Sequence, residues 1–60
     1  MPDYRLYCLD KRNHITHAHD IVAKDDGEAL ALARKREHPE LACELWEGAR
    51  KIATLPAKVV

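Results

Sequence analysis

The chain lacks a net charge, a long apolar run, a Cys-x-x-Cys pair and every short signature of a nucleotide-binding or catalytic loop. Each absence removes a class of function. Lys plus Arg is 10 and Asp plus Glu is 10, so no basic excess exists to neutralise phosphates, and general nucleic-acid binding is disfavoured. No apolar stretch approaches the ~20 residues that a membrane-spanning helix needs. The opening Met-Pro-Asp-Tyr-Arg carries no apolar h-region, which reads as a chain without a secretory leader. Cys8 and Cys43 each sit in an apolar stretch and read as reduced, buried thiols of a cytoplasmic protein. A Cys8–Cys43 disulfide is the weaker alternative. The sequence has no P-loop, no G-x-G-x-x-G and no Ser-His-Asp motif. With 60 residues the chain is also too short to wall off a typical substrate pocket alone. The expectation is therefore a protein that is not an enzyme.

What is present is globular: 47% hydrophobic and 33% charged residues, with no repeat, linker or low-complexity segment to divide residues 1–60 into more than one domain. A domain of this size buries only about 60% of the surface its unfolded chain exposes. A metal, a disulfide or a second copy of the chain would supplement so thin a core.

The local chemistry predicts five elements. Residues 4–9 are aromatic and apolar and end at Asp10-Lys11-Arg12-Asn13, which reads as a strand entering a turn. Asn13 suits a left-handed backbone position, so a three-residue hairpin with a bulge at Asn13 is expected. A second strand follows from residue 14 or 15 to 23, in a register that pairs Leu9 with Ile15, Tyr7 with His17 and Leu6 with Ala18. Asp25 with Glu28 three residues on forms an aspartate version of the capping box. The helix formers after it run to about His38, where Pro39 stops them. Leu32, Ala29, Ala33 and Leu30 fall on one helical stripe. Residues 41–46 and 50–55 form a second hairpin around Gly48-Ala49, pairing Leu45 with Ile52 and Cys43 with Thr54. Residues 56–60 read as a loose tail. The fold class is α+β: a four-stranded, mainly antiparallel sheet in the order ββαββ, spatial order 2-1-3-4, with one helix on one face.

The pattern Tyr4-Arg5-Leu6-Tyr7, Leu9-Asp10, Ile15, Asp25-Asp26-Gly27-Glu28-Ala29-Leu30 and Glu44-Leu45-Trp46 resembles a group of small uncharacterised proteobacterial ββαββ proteins. The resemblance covers nearly the whole chain, and its motifs are turns, a helix cap and core positions. Members of the group usually carry Gly at the position of Asn13. The resemblance implies this fold and a bacterial, cytoplasmic setting, and it implies no activity.

The expected register sorts the residues into two faces. Leu6, Cys8, Ala18, Val22, Cys43, Leu45 and Ile52 are compact and almost free of charge, and are expected to meet the helix. Arg5, Tyr7, Leu9, Ile15, His17, His19, Ile21, Glu44, Trp46, Lys51 and Ala53 form the opposite, mixed face. There Tyr7, Leu9, Ile15 and Trp46 make an apolar patch of the kind that marks an interaction site, with a homodimer or another protein as partner. Plain packing is the competing reading: a bulge in the second strand would flip its faces and send Ile15 and Ile21 to the core. His17 and His19 share one side of a strand and make a zinc site the alternative function, against the simpler reading of solvated histidines. Protonated together, they would oppose burial of an interface between about pH 5 and 8. Arg34-Lys35-Arg36, Arg50-Lys51 and Lys58, with the aromatics, give a third, weaker reading as a nucleic-acid-binding regulator. It competes with a solvated helix end, because Glu37, Glu40, Glu44 and Glu47 offset the charge.

Overall fold

The computed structural model describes residues 2–36 and 38–57. The elements are β1 (Asp3–Leu9), β2 (Ile15–Val22), α1 (Asp26–Arg36), β3 (Ala42–Glu47) and β4 (Arg50–Leu55). The four strands form one antiparallel sheet in the order β2-β1-β3-β4, the expected α+β architecture. Of the tail expected at 56–60, Pro56 and Ala57 are irregular and the rest lies outside the described residues. No helix among them is long and apolar enough to cross a membrane.

Both hairpin turns follow from local chemistry. The Asn13 N–H donates to the Asp10 carbonyl at 3.0 Å, and Asn13 itself sits at φ 64°. The Asp10 carboxylate accepts from the backbone N–H groups of Arg12 and His14 at 2.8 and 3.0 Å. Those bonds, that from His14 first, hold the Asp10 carboxyl below the usual carboxylate range. In the second hairpin Glu47 pairs with Arg50 across Gly48-Ala49. Gly48 takes φ +57° and Ala49 does not leave the negative region, as a turn with glycine at its first central position requires.

The helix start is capped as expected. The Asp25 carboxylate accepts the Glu28 N–H at 2.8 Å, and the Asp25 carbonyl accepts the Ala29 N–H at 3.0 Å. The Glu28 side chain reaches back one residue further than in the usual capping box, to the Lys24 N–H at 3.1 Å. Ala29 and Ala33 are fully buried, with Leu30 and Leu32 packed beside them. Their small side chains let the helix lie close over the sheet.

Two bulges alter the expected register. In β2, Ile15 pairs with Leu9 as expected, but His17 then pairs with Cys8, Ala18 with Tyr7 and His19 with Leu6. Thr16 is the extra residue, and its hydroxyl donates to the Cys8 carbonyl at 3.2 Å. The slip of one residue reverses the strand. Ile21 enters the core, whereas Ala18 and Val22, expected there, are exposed. Ile15 precedes the bulge and stays out at 58% exposure. His17 and His19 likewise leave the face of Tyr7 for the helix-covered face. In β4 the shift between Leu45 and Trp46 leaves Ile52 as the extra residue. Leu45 therefore meets Ala53 and Cys43 meets Leu55, in place of Ile52 and Thr54.

The resulting core is Tyr4, Leu6, Cys8, Ile21, Ala23, Ala29, Ala33, Cys43, Leu45 and Leu55. Cys8 and Cys43 stand directly opposite one another on β1 and β3, with Cα atoms 4.1 Å apart, and are joined in a disulfide. This corrects the expectation of free thiols. Opposed residues on adjacent antiparallel strands approach within disulfide reach, and the β1–β3 register that opposes these two is set by no hairpin. The thiol argument for a reducing compartment loses its basis.

Candidate interaction face and histidine cluster

The sheet has α1 on one side, and among the described residues no element covers the other. On that open side Arg5 pairs with Asp20 and Trp46, Tyr7 with Ala18 and Glu44, and Leu9 with Ile15 and Ala42. Directly opposed residues share a face, so Tyr7, Leu9, Ile15 and Trp46 all project from it. Tyr7 and Trp46 are diagonal neighbours across β1 and β3, and Leu9 and Ile15 extend the apolar strip toward the first turn. At the far end Val22 is 55% exposed. Beside it lies an open hollow of about 300 Å³ lined by Asp3, Arg5, Asp20 and Val22.

Four of the charges on this face are paired within it, while Asp3, beside Val22, has no ion-pair partner among the described residues. Arg5 bridges Asp20, and the Lys51 ammonium lies 3.2 Å from the Glu44 carboxylate. Glu44 also accepts the Trp46 indole N–H at 3.2 Å. That bond first, and Lys51 second, holds the Glu44 carboxyl below its ordinary range. The indole orientation is thus tied to an ion pair. The basic run Arg34-Lys35-Arg36 ends the helix, in the layer on the far side of the sheet from Tyr7 and Trp46. Among the described residues, which exclude Lys58, the aromatics of the sheet and the basic run of the helix do not share a surface, as a base-stacking sheet would need.

The covered face carries two polar clusters, one toward each end of the helix. At the helix start the Tyr4 hydroxyl donates to the Asp26 carboxylate at 2.8 Å. The Arg50 guanidinium donates to both oxygens of Asp26 at 3.2 Å and also pairs with Glu47. Burial, and then the bond to Asp26, push the Tyr4 hydroxyl up to about 12. Arg50 first and Tyr4 second hold the Asp26 carboxyl below its ordinary range. Sequence reasoning missed this cluster, although the alternation of Tyr4 with Leu6 and Cys8 marked Tyr4 as inward.

The second cluster lies past the helix end. His17 and His19 project from β2 two residues apart, and His38 sits above them. Its position is fixed by the turn into Pro39, where its carbonyl accepts the Leu41 N–H at 3.0 Å. The ring centroids of His17 and His38 are 4.3 Å apart, those of His19 and His38 5.8 Å, and those of His17 and His19 6.4 Å. The Nε2 atoms of His19 and His38 are shielded from solvent and have no hydrogen-bond partner among the described residues. The expected histidine pair is thus joined by a third ring from another element. The signal for it was the prolyl turn that ends the helix above β2. The rings stack, and among the described residues no three His, Cys, Asp or Glu side chains already stand in a metal-holding arrangement.

No family model matches the chain, and neither a curated protein nor a solved structure matches it. The proteobacterial resemblance gains no support from these comparisons. The candidate surfaces stand on their chemistry alone.

Proposed function

We propose that the chain is a non-enzymatic interaction module that pairs with a second copy of itself through the open sheet face. The observation that carries this reading is the joint projection of Tyr7, Leu9, Ile15 and Trp46 from the side opposite α1. Tyr and Trp supply large contact area at low entropic cost and are common interface anchors. A second copy fits better than a charged partner for two reasons. The charged residues of the strip, Arg5 with Asp20 and Lys51 with Glu44, are already neutralised in place. The whole chain carries no net charge, so two copies meet without long-range repulsion. A two-fold arrangement would lay one strip on the other and double the thin core.

Dilution-series NMR tests this residue by residue. Backbone amide shifts of Arg5, Tyr7, Leu9, Ala18, Glu44 and Trp46 should move together with concentration, while those of Leu6, Ala29 and Ala33 stay still. Movement confined to the helix layer, or none at all, would remove the proposal.

A further inference from the structure

The two shielded Nε2 atoms of His19 and His38 are the least satisfied polar groups in the described chain. A buried polar atom without a partner carries a desolvation cost that no hydrogen bond offsets. Two such atoms, in rings 5.8 Å apart and with a third imidazole stacked on one of them, leave nitrogens available to a ligand. Three neutral imidazoles offer a set of nitrogen lone pairs and no negative charge. That donor set suits zinc and its neighbours among the divalent transition metals rather than calcium or magnesium, which take oxygen ligands.

We propose that His17, His19 and His38 form a three-histidine site for a divalent transition metal ion, zinc being the test case. A metal held at ~2.0–2.1 Å by three imidazole nitrogens places the ring centroids about 5 Å apart. The observed separations of 4.3, 5.8 and 6.4 Å bracket that spacing. The backbone has therefore already brought the rings together, and what separates the stack from a chelate is their orientation. Rotation about the last torsion of histidine is soft, and the site requires it to turn the nitrogens toward a common centre.

The site is built by the bulge at Thr16. Without it, His17 and His19 would face the opposite side of the sheet from His38. His17 is exposed and gives an ion its path from solvent, while His19 and His38 are half-buried and present the shielded nitrogens. Three protein ligands leave a fourth position for water or another donor. His14, in the first turn, lies outside the cluster and serves as the internal control.

The test uses the oxidised chain freed of metal by chelation, with zinc chloride as probe and thermal unfolding as readout. At a free zinc concentration about a hundredfold above the dissociation constant, the melting temperature should rise by about 10 °C or more. His38→Ala and His17→Ala should each abolish the rise, and His14→Ala should keep it. His38→Gln guards against a simple packing loss, since it keeps bulk and polarity but removes the imidazole. Cobalt(II) gives the second readout: visible absorption of a nitrogen-ligated ion in the wild type, lost in His38→Gln. No zinc-dependent rise, or a rise that survives His38→Gln, overturns the proposal.

Discussion

The two polar clusters on the covered face lie toward opposite ends of the same helix and differ in one respect. At the helix start, Asp26 receives Tyr4 and both prongs of Arg50, so the hydrogen-bonding groups are spent on one another. Past the helix end, three imidazoles touch while two of their nitrogens bond to nothing among the described residues. The first cluster is finished and acts as a clasp between α1, β1 and β4. The second is open to a ligand. Between them lies the apolar core, and on the other side of the sheet lies a strip that none of the described residues cover. Perturbing the covered face should therefore change stability, and perturbing the open face should change association.

The largest effect sharpens that division at the Cys8–Cys43 bridge. The double substitution Cys8→Ala with Cys43→Ala removes a cross-link that spans 35 residues, worth about 4 kcal/mol on loop entropy. Urea unfolding of the double variant against the oxidised chain measures it. Leu45→Ala, at a fully buried core position, should cost about 3 kcal/mol by the same measurement and leave the surface of the open face unchanged. Trp46→Glu should do the reverse. It should weaken self-association by about 2 kcal/mol, roughly thirtyfold in dissociation constant, and leave the melting curve of the dilute monomer in place. Asn13→Ala, at a left-handed turn position, should cost about 1 kcal/mol, while Asn13→Gly should be neutral or slightly stabilising.

The clasp has its own signature in pH. Tyr4 is raised to about 12 in the fold, so folding favours its protonated form. That contribution is complete below the ordinary tyrosine value of about 10, is lost progressively as pH climbs from there to about 12, and does not change further. Asp26 is lowered, so its contribution is complete above the ordinary carboxylate range and is lost as pH falls below that range through the lowered value. Melting temperature against pH should show a plateau with both shoulders. Tyr4→Phe should flatten the alkaline one, and an unchanged alkaline shoulder would show that the hydroxyl does not serve the fold.

The parts of the molecule legible in the sequence are those with a local cause. Asn13 at its left-handed position, Gly48 at the head of its turn, Asp25 as helix cap and the strand order all rest on residues within a few positions of one another, or on the shortness of the connections. The bulges were not legible in the same way. Thr16 and Ile52 carry no glycine or proline to announce an extra residue, and both are good strand formers. The cause is partly the gain on the covered face: with the slip at Thr16, Ile21 exchanges solvent for the core. Because a strand has period two, that single residue moved His17 and His19 to the opposite side of the sheet. The four-residue strip of Tyr7, Leu9, Ile15 and Trp46 survived because Ile15 lies before the bulge. The Cys8–Cys43 disulfide stood only as the weaker alternative for another reason. The opposition of the pair depends on the β1–β3 register, which spans the whole β2–α1 segment and leaves no mark on the residues near either cysteine.

The most direct measurement is sedimentation equilibrium of the metal-free, oxidised chain over a wide concentration range, run beside Trp46→Glu. The open-face reading expects a reversible dimer for the wild type, a dimer roughly thirtyfold weaker for Trp46→Glu, and the same folded circular-dichroism spectrum for both. A wild-type monomer at every concentration, or a dimer that Trp46→Glu leaves intact, would contradict it.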